Sequence, residues 1–259
     1  MIVTHYQIDA PVNLKAIVLA DFHSSDKRVQ KKASYVDDIL QIVSGIAPDM
    51  IFAPGDIFNR TNERSVEDEG NKNGLHLLSE CADIAPTFYS IGNHEHSITQ
   101  KNRAVLEKAF VNVLDNSAVS FRGMTIGGAS TGYLMKKSYY KGSSPEPDAS
   151  FIERFGKMNG YKILLCHHPE YWAKYVIGRG IDLTVSGHAH GGQWGFFNGR
   201  GVYAPGQGLF PKYVKGLHVR CESGKNEVLA VSRGMRNTVP VPRIFNPCEI
   251  LVLHLGDGV

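Results

Sequence analysis

The sequence predicts an α/β fold, and three observations carry that reading. Short β-rich apolar runs recur along the chain, segments with helical apolar spacing lie between them, and each run ends in Asp, Asn or His. In such folds ligands gather outside the carboxyl ends of the strands, so the third observation already points to one crevice.

Taken in order, "LKAIVLADFH" ends in Asp21 and His23, and "DMIFAPGD" ends in Gly55 and Asp56. "TFYSIGNHE" delivers Asn93 and His94, "YKILLCHH" delivers His167, and "DLTVSGHAH" delivers His188 and His190. Between the runs, Val36, Ile39, Leu40 and Val43 keep one helical face, and Leu75, Leu77, Leu78 and Ala82 form a second. Residues Arg103 to Val111 and Pro169 to Val176 are also expected to be helical. In "SGHAHGGQ" an extended backbone would turn His188 and His190 to one side, while the glycines allow a tight turn beside a ligand.

At 259 residues the chain reads as a single domain, 1–259, with no Ser/Pro-rich linker. No run approaches the roughly 18 apolar residues of a membrane span. Acidic Asp9 and the missing basic leader argue against a signal peptide, so a cytoplasmic protein is expected. Cys81, Cys166, Cys221 and Cys248 are irregularly spaced and read as reduced thiols, with Cys166 a buried strand residue. A formal charge of +3 gives no whole-chain signal for nucleic acid or membrane, and Lys27, Arg28, Lys31 and Lys32 read as a solvated helix face. Oligomeric state is not legible.

The strand ends collect imidazole, carboxylate and amide donors without a thiolate. That set suits Mn, Fe, Zn, Co or Ni. It is too rich for one ion with open positions, and two divalent ions sharing a carboxylate would use all of it. Two metals side by side clamp a phosphoryl group and bring the pKa of a bridging water towards neutrality, which makes that water a nucleophile.

D-x-H, G-D, G-N-H-E, a strand-end His and G-H-x-H, in this order, resemble the calcineurin-like metallophosphoesterases. "GHAHGGQ" and the C-terminal segments resemble a bacterial phosphodiesterase branch of that superfamily. The resemblance implies a four-layer αββα sandwich. It assigns one metal to Asp21, His23, Asp56 and His190 and the other to Asp56, Asn93, His167 and His188, with Asp56 bridging. It makes His94 the general acid of a phosphodiesterase acting on a small phosphoester. A phosphomonoesterase is the nearest alternative, and a non-hydrolytic metal-binding scaffold is a third.

Arg60 and His96 are substrate-binding candidates, Arg60 because a planar bidentate donor suits phosphate. His168 faces away from its neighbour on a strand and is expected to pack. Asn59 stands where many members of the family it resembles carry the acid of G-D-x-x-D, which in some branches orients the catalytic histidine. The stretches 138–150 and 194–213 are expected to be loops that set specificity; Trp194, Phe196, Phe197, Tyr203 and Phe210 suit a stacking or lipid-packing surface or a small core under a hairpin.

Overall fold

The computed structural model describes residues 1–25, 34–131, 145–195, 201–222, 224–237 and 242–257. The basic cluster from Lys27 to Lys32, the loop from Ser138 to Ser144, and Phe196 with Phe197 lie outside the described residues.

Strands are numbered in chain order. The first sheet contains β1 (Ile2–Ile8), β2 (Leu14–Val18), β3 (Met50–Ala53), β4 (Thr87–Ser90), β5 (Val111–Leu114) and β14 (Glu249–Leu255). Their order across the sheet is β1-β14-β2-β3-β4-β5. The second sheet contains β6 (Ser117–Phe121), β7 (Met124–Ala129), β8 (Tyr161–Cys166), β9 (Leu183–Ser186), β12 (Gly216–Glu222) and β13 (Lys225–Val231), in the order β12-β13-β9-β8-β7-β6. β2 through β5 run parallel, as do β7, β8, β9 and β13. A small hairpin pairs β10 (Tyr203–Ala204) with β11 (Gly208–Leu209).

Strand alternation sorts the apolar side chains into three cores. Ile17, Leu19, Ile51 and Ala53 face α1 (Ser34–Ile46), α2 (Lys72–Ile84) and α3 (Gln100–Lys108). Ala16, Val18, Met50 and Phe52 point the other way and meet Ile163, Leu165, Leu183 and Val185 between the sheets. Leu164 and Cys166 face the far side, against Phe151, Ile152 and Phe155 of α4 (Ala149–Gly156) and Trp172 and Val176. Helix, sheet, sheet and helix are therefore stacked in four layers, as the resemblance implies.

The helical stripes hold: Val36, Ile39 and Val43 are buried on α1, and Leu77, Leu78 and Cys81 on α2. The third helix ends at Lys108 instead of Val111, which opens β5. Thr99 sets its start by accepting the Asn102 N–H. Residues Trp172–Val176 form a π-helical turn. Helix α4 falls where a loop is expected to end: Asp148 caps it by accepting the Phe151 N–H at 3.0 Å. Among the described residues no helix is long and apolar enough to cross a membrane.

Candidate metal centre

The two sheets present the carboxyl ends of their parallel strands to one crevice. Asp21 and His23 follow β2, Asp56 follows β3, and Asn93 and His94 follow β4. His167 follows β8, and His188 and His190 follow β9. The strands themselves stop short of these residues. Asp21 (φ 56°), His23 (50°), Asp56 (55°), His188 (65°) and His190 (46°) all sit in the left-handed region. His188 and His190 therefore do not converge through an extended backbone. The chain bends at Gly187 and enters a 3-10 turn, His190–Gly192. Strain at so many neighbouring positions persists only where the surroundings over-determine it.

Backbone hydrogen bonds supply that determination. His23 N–H donates to the Asp56 carbonyl at 2.9 Å, and His94 N–H donates to Asp56 Oδ1 at 2.8 Å. His188 N–H is 3.1 Å from both carboxylate oxygens of Asp21. Two glycines make room: a Cβ at Gly92 would lie 2.3 Å from Asp56 Oδ1, and one at Gly187 would lie 2.6 Å from Asp21 Oδ2.

Asp56 is the hub. Its Oδ2 lies 3.2 Å from His167 Nε2, 3.8 Å from His23 Nε2 and 3.9 Å from His94 Nε2. Asp21 Oδ1 lies 3.9 Å from His23 Nε2 and 3.7 Å from His190 Nε2. Ligand atoms of Asp21, His23 and His190 lie within 4.8 Å of one another; so do those of His23, Asp56 and His94, and those of Asp56, His167 and His188.

The donors fit a divalent cation. His23 Nε2 and Asn93 Oδ1 are buried and make no hydrogen bond, a costly state unless an ion completes them. His167 Nδ1 meets the Pro54 carbonyl at 2.8 Å, so this nitrogen carries the proton and Nε2 is turned towards Asp56. Burial, with the neighbouring His94, holds the His23 pKa well below the usual imidazole value; burial and His168 do the same to His188. Both rings are neutral and have lone pairs to offer. Burial opposes charge on His167 too, but Asp56 outweighs it and lifts that pKa to about 9. Burial also works against ionisation of Asp56, yet His167 and His94 hold its carboxyl well below the ordinary range.

His94 stands at the rim with its side chain 48% exposed, edge-on to His23 at 4.6 Å between centroids. Arg60 is tied to it through the main chain, donating N–H to the His94 carbonyl at 2.7 Å, while its guanidinium lies 3.6 Å from Glu63. His96 is half-buried and lines a cleft of about 420 Å³ with Ser97, Asp115, Ser130 and Thr131. His168 packs as expected, its Nδ1 3.0 Å from Glu170 Oε1 and its ring stacked on Tyr171 and against His188. Asn59 is held through its main chain, exchanging two hydrogen bonds with the Asn71 side chain at 3.0 and 3.2 Å. Trp194, Tyr203 and Phe210 remain exposed, so these three do not build the small core that was one of the two expectations.

Two contributors escape the sequence reading. Glu95 is wholly buried and accepts N–H groups from Asp56 (2.9 Å), Phe58 (2.8 Å) and Gly92 (2.9 Å). Burial and the Asp56 charge push its carboxyl up to about 7. Its signal was the last letter of G-N-H-E. Arg243 approaches from the C-terminal region, Nη2 3.1 Å from His190 Nδ1, and nothing in the local pattern links it to the strand ends.

A family model described as calcineurin-like phosphoesterase matches residues 14–192. Over 245 residues the chain is 28% identical to an uncharacterised metallophosphoesterase of Campylobacter jejuni, covering 94% of this chain and 59% of that protein. Over 194 residues it is 29% identical to phosphodiesterase YaeI of Escherichia coli, covering 71% and 63%. The chain thus spans less than two thirds of these relatives. Among solved structures, the NAD nucleotidase NadN of Haemophilus influenzae matches with a TM-score of 0.54 at 14% identity, over 86% of this chain and 45% of that one. A dimetal phosphatase from Danio rerio matches at 0.53 and 10% identity, over 85% and 87%. The family match opens on the first residue of β2 and closes two residues beyond His190, so every one of the clustered donors falls inside it, and the chain belongs to the calcineurin-like phosphoesterase family.

Proposed function

We propose that this chain is a metal-dependent phosphodiesterase holding two divalent transition-metal ions, Mn, Fe, Zn, Co or Ni. The carrying observation is the position of Asp56: its carboxylate lies among His23, His94 and His167, between the donors of one group and those of the other. In this reading Asp21, His23, Asp56 and His190 hold one ion, and Asp56, Asn93, His167 and His188 hold the second. Bound divalent ions supply Lewis-acid charge for a phosphoryl group and an activated water.

The chain's own residues do the rest. Asp56 Oδ1 accepts the His94 N–H, which fixes the loop that carries the imidazole. His94 has both the exposure to meet a small phosphoester and the chemistry to hand a proton to the departing oxygen. In this reading Arg60, whose N–H donates to the His94 carbonyl, and His96, two residues beyond His94, would contact the non-reacting part of the substrate, Arg60 by releasing Glu63.

Similarity to phosphodiesterase YaeI favours the diester over the monoester. A monoester dianion gains from cations beyond the metals, and beside His94 this chain offers Arg60. The test is kcat/KM on bis-(nitrophenyl) phosphate and on nitrophenyl phosphate, with the metal content of the same preparation measured by elemental analysis. The diester is expected to win, with Arg60→Ala hurting the monoester reaction more. A monoester preference abolished by Arg60→Ala would overturn the diester reading, and no turnover of either by fully loaded protein would overturn hydrolysis itself.

A further inference from the structure

Arg243 stands behind the metal cluster, outside residues 14–192 that the family model matches, and its partners fix where it points. Its Nη1 donates to the Arg233 carbonyl at 2.7 Å, and its Nη2 donates both to the Arg236 carbonyl and to His190 Nδ1, the latter at 3.1 Å. Two main-chain carbonyls thus hold the guanidinium against the imidazole. The His190 turn is held as firmly. Asn246 Nδ2 donates to the His190 carbonyl at 2.7 Å and to that of Gln193 at 3.2 Å, while the His190 ring is stacked on His23 at 5.4 Å between centroids.

A guanidinium only donates, so His190 Nδ1 accepts and the ring carries its proton on Nε2. That is the nitrogen turned into the cluster, 3.7 Å from Asp21 Oδ1. His167 is arranged the other way round: its Nδ1 faces the Pro54 carbonyl at 2.8 Å, an acceptor for the Nδ1 proton that leaves Nε2 for a metal. For His190 to ligate through Nε2, the ring proton has to pass to Nδ1, or the guanidinium has to give up its two carbonyls. Both routes are costly. The first sets two donors against each other, the second breaks hydrogen bonds, and in either case the guanidinium charge repels a cation bound across the ring.

Resting on the two-ion reading above, we infer that Arg243 loosens the ion assigned to Asp21, His23, Asp56 and His190, so that occupancy of this site follows the free metal concentration. Arg243 is then a positioning residue that sets affinity through His190 and touches neither ion nor substrate. Because a phosphoryl clamp needs both ions, hydrolysis would rise with metal supply as this site fills.

Two measurements test it. In metal-free parent protein, NMR of nitrogen-labelled histidine reads the tautomer, with the His190 signals assigned by their loss in His190→Gln. Nδ1 is expected to be bare and Nε2 protonated, and the reverse would overturn the inference whatever the variants do. Titration calorimetry with Mn(II) at one fixed pH then separates the sites, since His167→Ala leaves the ion that uses His190 and His190→Ala leaves the other. Adding Arg243→Met to His167→Ala should tighten Mn(II) binding roughly 10–100-fold, the range over which outer partners of a ligand act. Added to His190→Ala it should change nothing, and Arg243→Lys, which keeps a cationic donor, should stay near the parent. Circular dichroism establishes that each variant folds. Unchanged or weaker binding by the folded double variant would overturn the inference and leave Arg243 a brace, with the two-ion reading intact. Saturation of the parent and of Arg243→Met at a single Mn(II) would instead refute the two-ion reading and this inference with it.

Discussion

Glu95 and Asp56 are joined from side chain to main chain: Asp56 donates its N–H to Glu95 Oε2 at 2.9 Å while its own Oδ1 accepts the His94 N–H at 2.8 Å. Glu95 is thus a brace behind the metal cluster, holding the loop after β3 and the loop after β4 from the same two oxygens.

Glu95→Gln should expose that role. Each glutamate oxygen faces an N–H donor, and an amide must turn its NH2 against at least one of them. The cost is about 1–3 kcal/mol of stability, read from the thermal unfolding of metal-free protein. Metal affinity should fall roughly 10–100-fold in competition with a chelator, the size expected when an outer support of a ligand is lost. Unchanged affinity would reduce Glu95 to a packing residue.

The contrast between Asp56 and Glu95 shows how far the sequence could be read. Asp56, His167 and their like end β-rich runs, so periodicity locates the strands and the alternation of strands with helices brings their ends together. Glu95 acts through three backbone N–H groups from two loops, a partnership set by turns and left-handed residues that has no sequence period. Arg243 is further still, reaching His190 across 53 positions of chain. The four layers were implied by the resemblance alone, because nothing in one strand's pattern tells that both of its faces are covered. Helix α4 was hidden because its apolar face is short and follows a Pro-rich stretch.

The pKa of His167 makes metal uptake depend on pH. In the folded, metal-free chain this imidazole keeps its proton up to about 9, against 6.5 in the unfolded chain. Its stabilising contribution is complete below pH 6.5 and is lost as pH rises to about 9. A bound metal needs Nε2 free of the proton it carries in the imidazolium form, so apparent affinity should climb as pH rises towards about 9 and level off above it. Titration calorimetry in buffers of different ionisation enthalpy should show proton release. An affinity that stays flat across the window would contradict the pairing of His167 with Asp56.

Asp56→Asn should strip both ions, because Asp56 alone is assigned to both. His190→Ala and His167→Ala should each deplete chiefly one. Elemental analysis after gel filtration separates the outcomes. Two equivalents of metal retained by Asp56→Asn would refute the shared-ligand assignment.

His94 is the clustered imidazole with the most access to a substrate, its Nε2 3.9 Å from Asp56 Oδ2 and nearly half its side chain in solvent. Here it is assigned to the leaving oxygen and not to a metal, although it also forms part of one of the clustered groups. The two roles diverge in His94→Ala. A proton donor leaves metal content intact and costs roughly 10²–10⁴-fold in kcat on alkyl esters, whose alkoxide cannot depart unprotonated. Nitrophenyl esters expel a stable anion and should lose far less, so the ratio of the two rates is the readout. Equal losses on both esters would leave His94 as electrostatic support, and a fall in metal content would make it a ligand.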